Sequence, residues 1–281
     1  MKKIKRILSV LAHPDDESFG MGGTLALYSS QGVEVYLICA TRGEVGEVEP
    51  EFLEGYSSKG ELRESELRCA AEKLGIKEVM FLDYRDSGMQ GSLENQHPEA
   101  LAAQKIDEVA AKITTIIRRI KPQIVLTFDP VGGYHHPDHI ATHDATILAF
   151  NAASSKDFSD GEEIFQPEKL YFHIFPKGFI RFMVNLLKLF RVDVNHFGRN
   201  KDIDLEMLAG DKDYPRHAII NYKNFAKIKD SASDCHASQL DFGTQSPNII
   251  TWFRKLTGGK DSFMQAFPEV TGSLKKKDLF L

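Results

Sequence analysis

Ile7-Leu8-Ser9-Val10-Leu11-Ala12 runs straight into His13-Pro14-Asp15-Asp16-Glu17. The first six residues are apolar apart from one serine and stop at a polar, proline-bearing turn. That pattern reads as a short strand buried on both faces. Similar β-branched runs recur at residues 33–40, 79–82 and 124–128. Helical patterns fill the gaps at 23–30, 61–74 and 100–120, and another follows at 138–150. Strand alternating with helix predicts an α/β fold, a Rossmann-like, mostly parallel sheet with helices on both faces. Gly75 closes the second helix, and Lys121-Pro122 closes the third. In such a sheet ligands gather beyond the carboxyl ends of the strands, so the residues after each strand deserve the closest reading.

The chain has 281 residues, which we read as one domain, 1–281, with a variable insert at about 151–215. Forty acidic against 35 basic side chains give a net charge of −5, without the basic footprint of a nucleic-acid binder. Lys2, Lys3, Lys5 and Arg6 precede the first apolar run, as in a signal peptide. That run is shorter than the ~7–15 residues such a segment needs. No stretch approaches the ~18 apolar residues of a transmembrane segment. Cys39, Cys69 and Cys235 lie far apart with no C-x-x-C, and an odd count cannot form a complete disulfide framework, which favours a reducing, cytoplasmic setting.

The third quarter breaks the alternation. Residues 151–161 suit a loop, 170–175 a strand, and 179–194 an amphipathic basic helix bearing Phe182, Leu186 and Phe190 with Arg181 and Lys188 opposite. A helix packed on the body is the simplest reading of that stretch. A lid, a homo-oligomer contact and a membrane-surface helix are the alternatives. Residues 222–233 read as a helix, and Lys275-Lys276-Lys277 as a solvated tail.

Two clusters follow strand ends. His13, Asp15, Asp16 and Glu17 follow the first strand; Tyr134-His135-His136-Pro137-Asp138-His139, with His143 and Asp144 beyond, follow the fourth. Adjacent acids repel unless they share a cation or a role. A catalytic zinc site needs three protein ligands and an open position for water. One His and one Asp from the first loop plus one His from the second supply that set. His139 and His143, at i and i+4, are an alternative metal pair, and Asp138 is equally suited to cap the helix after Pro137. Gly20-Met21-Gly22-Gly23 departs from the dinucleotide fingerprint, and the second strand ends without the required acid. These glycines read instead as a tight turn and a close helix approach beneath the His13 loop.

Together, Ala12-His13-Pro14-Asp15-Asp16-Glu17 with Gly22-Gly23-Thr24-Leu25, and His136-Pro137-Asp138-His139, resemble the two signatures of the PIG-L/LmbE-like N-acetylglucosaminyl deacetylases. Thr41-Arg42-Gly43-Glu44-Val45-Gly46, Arg63-x-x-Glu66 and the late His236-Ala237-Ser238-Gln239 extend the likeness. The resemblance implies a zinc-dependent hydrolase of N-acetylated glucosamine-type sugars, acting through attack of metal-activated water. By it, His13, Asp16 and His139 would hold Zn2+ or another divalent metal, and Asp15 would be the general base. His136 would face the substrate carbonyl, oriented by Asp138, with Tyr134 helping to polarise it. Arg63 and Glu47 would lie near the sugar, or else serve as a helix-surface salt bridge and a solvated loop acid. His236 would be structural. The rival readings are hydrolysis of a non-sugar amide, a metal-binding scaffold without turnover, and a membrane-surface protein acting through residues 179–194.

Overall fold

The structure is a computed structural model, and it describes residues 4–196, 204–240, 259–270, 272 and 275–281. Strands β1 (Arg6–Leu11), β2 (Glu34–Cys39), β3 (Glu78–Phe81), β4 (Ile124–Phe128) and β5 (Lys169–Ile174) form a parallel sheet. β6 (Ala218–Asn221) and β7 (Lys260–Phe267) extend it antiparallel, giving the order β3-β2-β1-β4-β5-β7-β6.

The strands are apolar on both faces because each face is covered. Leu8, Val10 and Ile38 meet α3 (Ile106–Ile120) and α5 (Pro137–Ala152) through Val109, Ile113, Ile117, Ala141 and Ala145. Ile7, Leu11 and Leu37 point the other way, onto Met21, Leu25 and Tyr28 of the α1 side (Gly22–Ser30) and Leu67 of α2 (Lys59–Leu74). α1 leads from β1 toward one edge and α5 leads from β4 toward the other. A crevice therefore opens between the carboxyl ends of β1 and β4, where the connections diverge.

The expected helix ends hold where their chemistry is local. Ser58 accepts the Glu61 backbone N–H at 3.1 Å and starts α2, which Gly75 ends at φ 70°. The third helix starts later than its apolar spacing predicts, at Ile106, because Leu101–Ala103 is a separate short turn. Gly20-Met21-Gly22-Gly23 contributes close packing: a Cβ on Gly23 would stand 2.2 Å from the Tyr222 ring. Gly23→Ala should therefore lose about 1–3 kcal/mol of stability in a denaturant titration, the usual range for overpacking. A stability equal to wild type would show that Tyr222 moves aside freely.

Two expectations are corrected. Lys275-Lys276-Lys277 is not a free tail. Lys276 exchanges backbone hydrogen bonds with His217 and Ile219 beside β6, and its Nζ reaches Gln265 at 3.0 Å. Beyond it Leu279 is fully buried, and its N–H donates to the Tyr28 hydroxyl at 2.7 Å. The cysteines do not all fit the reducing setting that their spacing favours. Cys69 on α2 and Cys235 just past α8 (Ala226–Ser233) form a disulfide, because α8 packs on α2 and brings the two within 5.8 Å between Cα atoms. Cys39 stays a buried thiol. Closing so long a loop is worth about 2–4 kcal/mol. Reduction should lower the thermal midpoint of wild type and leave that of Cys235→Ser unchanged; equal shifts in both would remove the bond from the account.

Candidate metal and catalytic centre

His13 leaves β1 and His139 lies in the first turn of α5, on opposite sides of the crevice. His13 Nδ1 and His139 Nε2 face each other at 3.2 Å. Asp16 completes the group, with Oδ1 3.3 Å from His139 Nε2 and Oδ2 3.7 Å from His13 Nδ1. Two ligands bound about 2.0–2.1 Å from a tetrahedral ion stand about 3.3–3.4 Å apart, so this spacing suits one ion.

The far side of each ring fixes its proton. His139 Nδ1 donates to the Gly132 carbonyl at 3.1 Å, which leaves Nε2 with a lone pair. His13 Nε2 donates to Asp138 Oδ2 at 3.1 Å, which leaves Nδ1 with a lone pair. With both rings neutral, two lone pairs converge beside a carboxylate, a place that a shared cation fills and that a proton on His13 takes otherwise. Gly132, at φ 62°, makes the first of these bonds available, since a Cβ there would stand 2.8 Å from that of His139. The trios His13, His136, His139 and His13, Asp86, Asp138 also bring ligand atoms within 4.8 Å of one another. Neither matches the tautomers as well: His13 Nε2 carries the proton that faces Asp138, and His136 Nε2 carries its ring's proton because Nδ1 accepts the Asp138 N–H.

Charge in the crevice supports the same fit. Burial opposes a charge on His13, yet Asp86, Asp138 and Asp16 outweigh it and hold the imidazole well above its ordinary pKa. Burial likewise disfavours the Asp16 carboxylate, but His139 and His13 keep it well below the usual range. Three carboxylates around one histidine are a surplus of negative charge that a divalent ion balances.

Asp15 stands next to this trio at φ 113°, a conformation non-glycine residues rarely adopt. Burial raises its pKa to about 6, against the pull of Arg63. Arg63 is buried on α2 and donates to Asp15 Oδ2 at 2.9 Å, to Pro14 O at 2.6 Å and to Gly43 O at 2.6 Å. Its guanidinium is thus committed to the Asp15 loop. Buried there, it is not a helix-surface salt bridge. Glu47 is exposed, and its carbonyl accepts from Gln239 Nε2 at 3.3 Å; its carboxylate is not part of the cluster.

His136 caps α5, its Nδ1 accepting the Asp138 N–H at 3.2 Å. The ring is therefore protonated at Nε2 when neutral. Burial, reinforced by His13 and His139, keeps its pKa well below normal, so neutral is the form expected. The Asp138 carboxylate was expected to orient His136, but it serves His13 instead. It accepts the Ser87 N–H at 2.9 Å and also the Ser87 hydroxyl. Tyr134 lies edge-on to His139, with ring centroids 5.0 Å apart. His135, at φ 65°, turns away to pair with Asp211 at 3.0 Å, leaving Tyr134 on the crevice side. His143 is not among the residues whose ligand atoms gather here: its Nδ1 bonds the Phe128 carbonyl at 2.8 Å and its ring packs on Phe172, so the i, i+4 pair is not assembled.

Asp86 and Ser87 were not anticipated. Asp86 Oδ1 lies 3.6 Å from His13 Nε2; burial disfavours its charge, but His13 and the Gly88 N–H outweigh that cost and hold the carboxylate far below the usual range. The signal was present: Asp86-Ser87-Gly88 follows the third strand as His13 follows the first.

Residues 8–150, which carry the first four strands and both loops, match the PIG-L family, described as GlcNAc-PI de-N-acetylase. The 1D-myo-inositol 2-acetamido-2-deoxy-alpha-D-glucopyranoside deacetylase of Thermomonospora curvata is 34% identical over 253 residues, covering 86% of this chain and 83% of its own. The chain belongs to the PIG-L family. Among solved structures, the N,N'-diacetylchitobiose deacetylase of Pyrococcus horikoshii matches 96% of this chain and 88% of its own, with a TM-score of 0.66 and 22% identity. The 4-carboxy-2-hydroxymuconate hydratase GalB of Pseudomonas putida KT2440 matches 96% of this chain and all of its own, with a TM-score of 0.60 and 18% identity. At these identities the two structures show a shared fold. A deacetylase and a hydratase on one fold mean that the reaction has to be argued from the site.

Proposed function

We propose that this PIG-L protein is a metal-dependent hydrolase that removes the acetyl group from a glucosamine-type small molecule. The observation that carries the reading is the convergence of the His13 and His139 lone pairs with Asp16, beside a buried Asp15. Family membership and the named activity of the Thermomonospora curvata relative support the substrate class. His13, Asp16 and His139 would hold the ion; zinc suits two histidines and one carboxylate, as ferrous iron or cobalt would. When bound, such an ion supplies a Lewis acid that acidifies water and polarises a carbonyl.

The chain's own groups supply the proton steps. Arg63 fixes Asp15 Oδ2, so the carboxylate is aimed when it takes a proton from the attacking water. Neutral His136 presents Nε2–H, and Tyr134 a hydroxyl, to oxygen charge developing on the acetyl group. As the C–N bond breaks, the amine nitrogen takes the proton that Asp15 accepted from water, and acetate and the free amine leave. Release of acetate from N-acetylglucosaminyl-inositol, diacetylchitobiose and simple acyl amides, with and without zinc, tests the reading. Turnover confined to the non-sugar amides would favour the rival amide hydrolase.

Residues 151–215 we assign to selectivity for the rest of the substrate. α6 (Lys177–Leu189) packs against α7 (Leu205–Gly210) through Ile180, Val184 and Leu208, and that cluster touches Tyr134 at the centre. Phe182 is left 58% exposed. Burying one such side chain against substrate is worth roughly 1.5–3 kcal/mol. Phe182→Ser should therefore change the ranking of substrates by kcat/KM about tenfold or more while bound metal stays constant. An unchanged ranking would make α6 a packing element.

No helix among the described residues is long and apolar enough to cross a membrane. We read the location as cytoplasmic from composition. Cys69–Cys235, with Cys69 exposed, is the bond that setting would reduce, and its state in cell extracts tests the placement.

A further inference from the structure

Glu17 and His236 are both fully buried, 219 positions apart in the chain, and pair at 2.7 Å between Oε1 and Nε2. Neither ring nor carboxylate reaches the metal trio. Glu17 Oε2 instead accepts the Asp15 backbone N–H at 3.0 Å. The Ser18 hydroxyl donates to Glu17 Oε1, so the carboxylate is held from both sides. Asp15 is the residue at φ 113°, and the backbone N–H groups of Ser18 and Phe19 fix its carbonyl at 3.0 and 2.9 Å. A strained backbone persists only where its surroundings over-determine it.

We propose that Glu17 and His236 are positioning residues that hold the Asp15 backbone in this conformation and so set the direction of its carboxylate. The inference rests on the reading of Asp15 as the base. Glu17 grips the amide of Asp15, and Arg63 grips its carboxylate; between them the side chain has one direction to point. His236 is itself anchored. It directly follows the cystine Cys235, and two residues on, Ser238 donates N–H and O–H bonds to Glu66, both at 2.8 Å. Glu66 and Arg63 share α2, so the element that clamps the Asp15 carboxylate also fixes the segment that clamps its amide. The late His-x-Ser-Gln element thereby acts on the centre without touching it. Misplacing a reacting group by about 1 Å costs up to about 100-fold in rate, which sets the scale of the effect.

The test compares variants of the full, metal-loaded chain. Glu17→Met combined with His236→Leu removes both polar partners together, which leaves no orphaned buried charge. We expect kcat to fall about 10–100-fold with KM, bound metal and thermal midpoint close to wild type. Glu17→Gln keeps an acceptor for the Asp15 N–H and should restore kcat to within about threefold. If the double variant does not fold, His236→Ala, whose vacated space admits water to pair Glu17, takes its place with the same readouts. Wild-type kcat in the double variant, or a fall explained wholly by lost metal or lost folded protein, overturns the proposal. Asp15→Asn is measured alongside: full turnover in that variant would remove the base assignment instead, whatever Glu17 does.

Discussion

Asp15→Asn should keep its metal and lose about 10²–10⁴-fold in kcat, the usual contribution of a positioned acid or base. The geometry separates the two properties. None of the three ring or carboxylate groups that converge between the strands belongs to Asp15. The amide of asparagine retains an oxygen for Arg63, so the loop should keep its shape. What it lacks is a site for a proton at the oxygen facing substrate. Metal analysis and acetate release on the same preparation check this. Near-wild-type turnover would require another base, and His136 is the neighbouring candidate.

Removal of the metal or of any one ligand should abolish turnover outright. His13→Ala, Asp16→Ala and His139→Ala are each expected to lose bound metal and activity together. His143→Ala should keep both, because that ring packs on Phe172 away from the gathered ligand atoms. Chelation of wild type followed by zinc should restore acetate release. Asp16 also accepts the His13 backbone N–H at 2.8 Å, so its loss additionally loosens the turn that presents His13. Metal retained in His139→Ala, or lost in His143→Ala, would contradict the assignment.

The five parallel strands and the two strand-end clusters were legible because their signals are local. A short apolar run of four to six residues set between helical patterns reads as a strand of a parallel sheet. β7 was not legible, since its buried positions include Asp261, Ser262 and Gln265, which break the apolar pattern. Those polar groups are satisfied at a distance: Asp261 accepts from Thr24 of α1, and Gln265 from the Tyr171 hydroxyl. Pairings such as Cys69 with Cys235, or Glu17 with His236, arise from the packing of the α8 region on α2 and the β1 loop, which no spacing within either segment encodes. Arg63 shows the same limit: its position was noticed, but the carboxylate and carbonyls it serves lie 20 to 49 positions away.

Anomalous diffraction at the zinc edge, on crystals of the zinc-loaded protein, tests the central claim most directly because it needs no substrate. One strong peak is expected about 2.0–2.2 Å from His13 Nδ1, His139 Nε2 and an Asp16 oxygen, with His136 and Asp138 outside that distance. A peak bound instead on the Nε2 side of His13, between Asp86 and Asp138, or one ligated by His136, would contradict the claim.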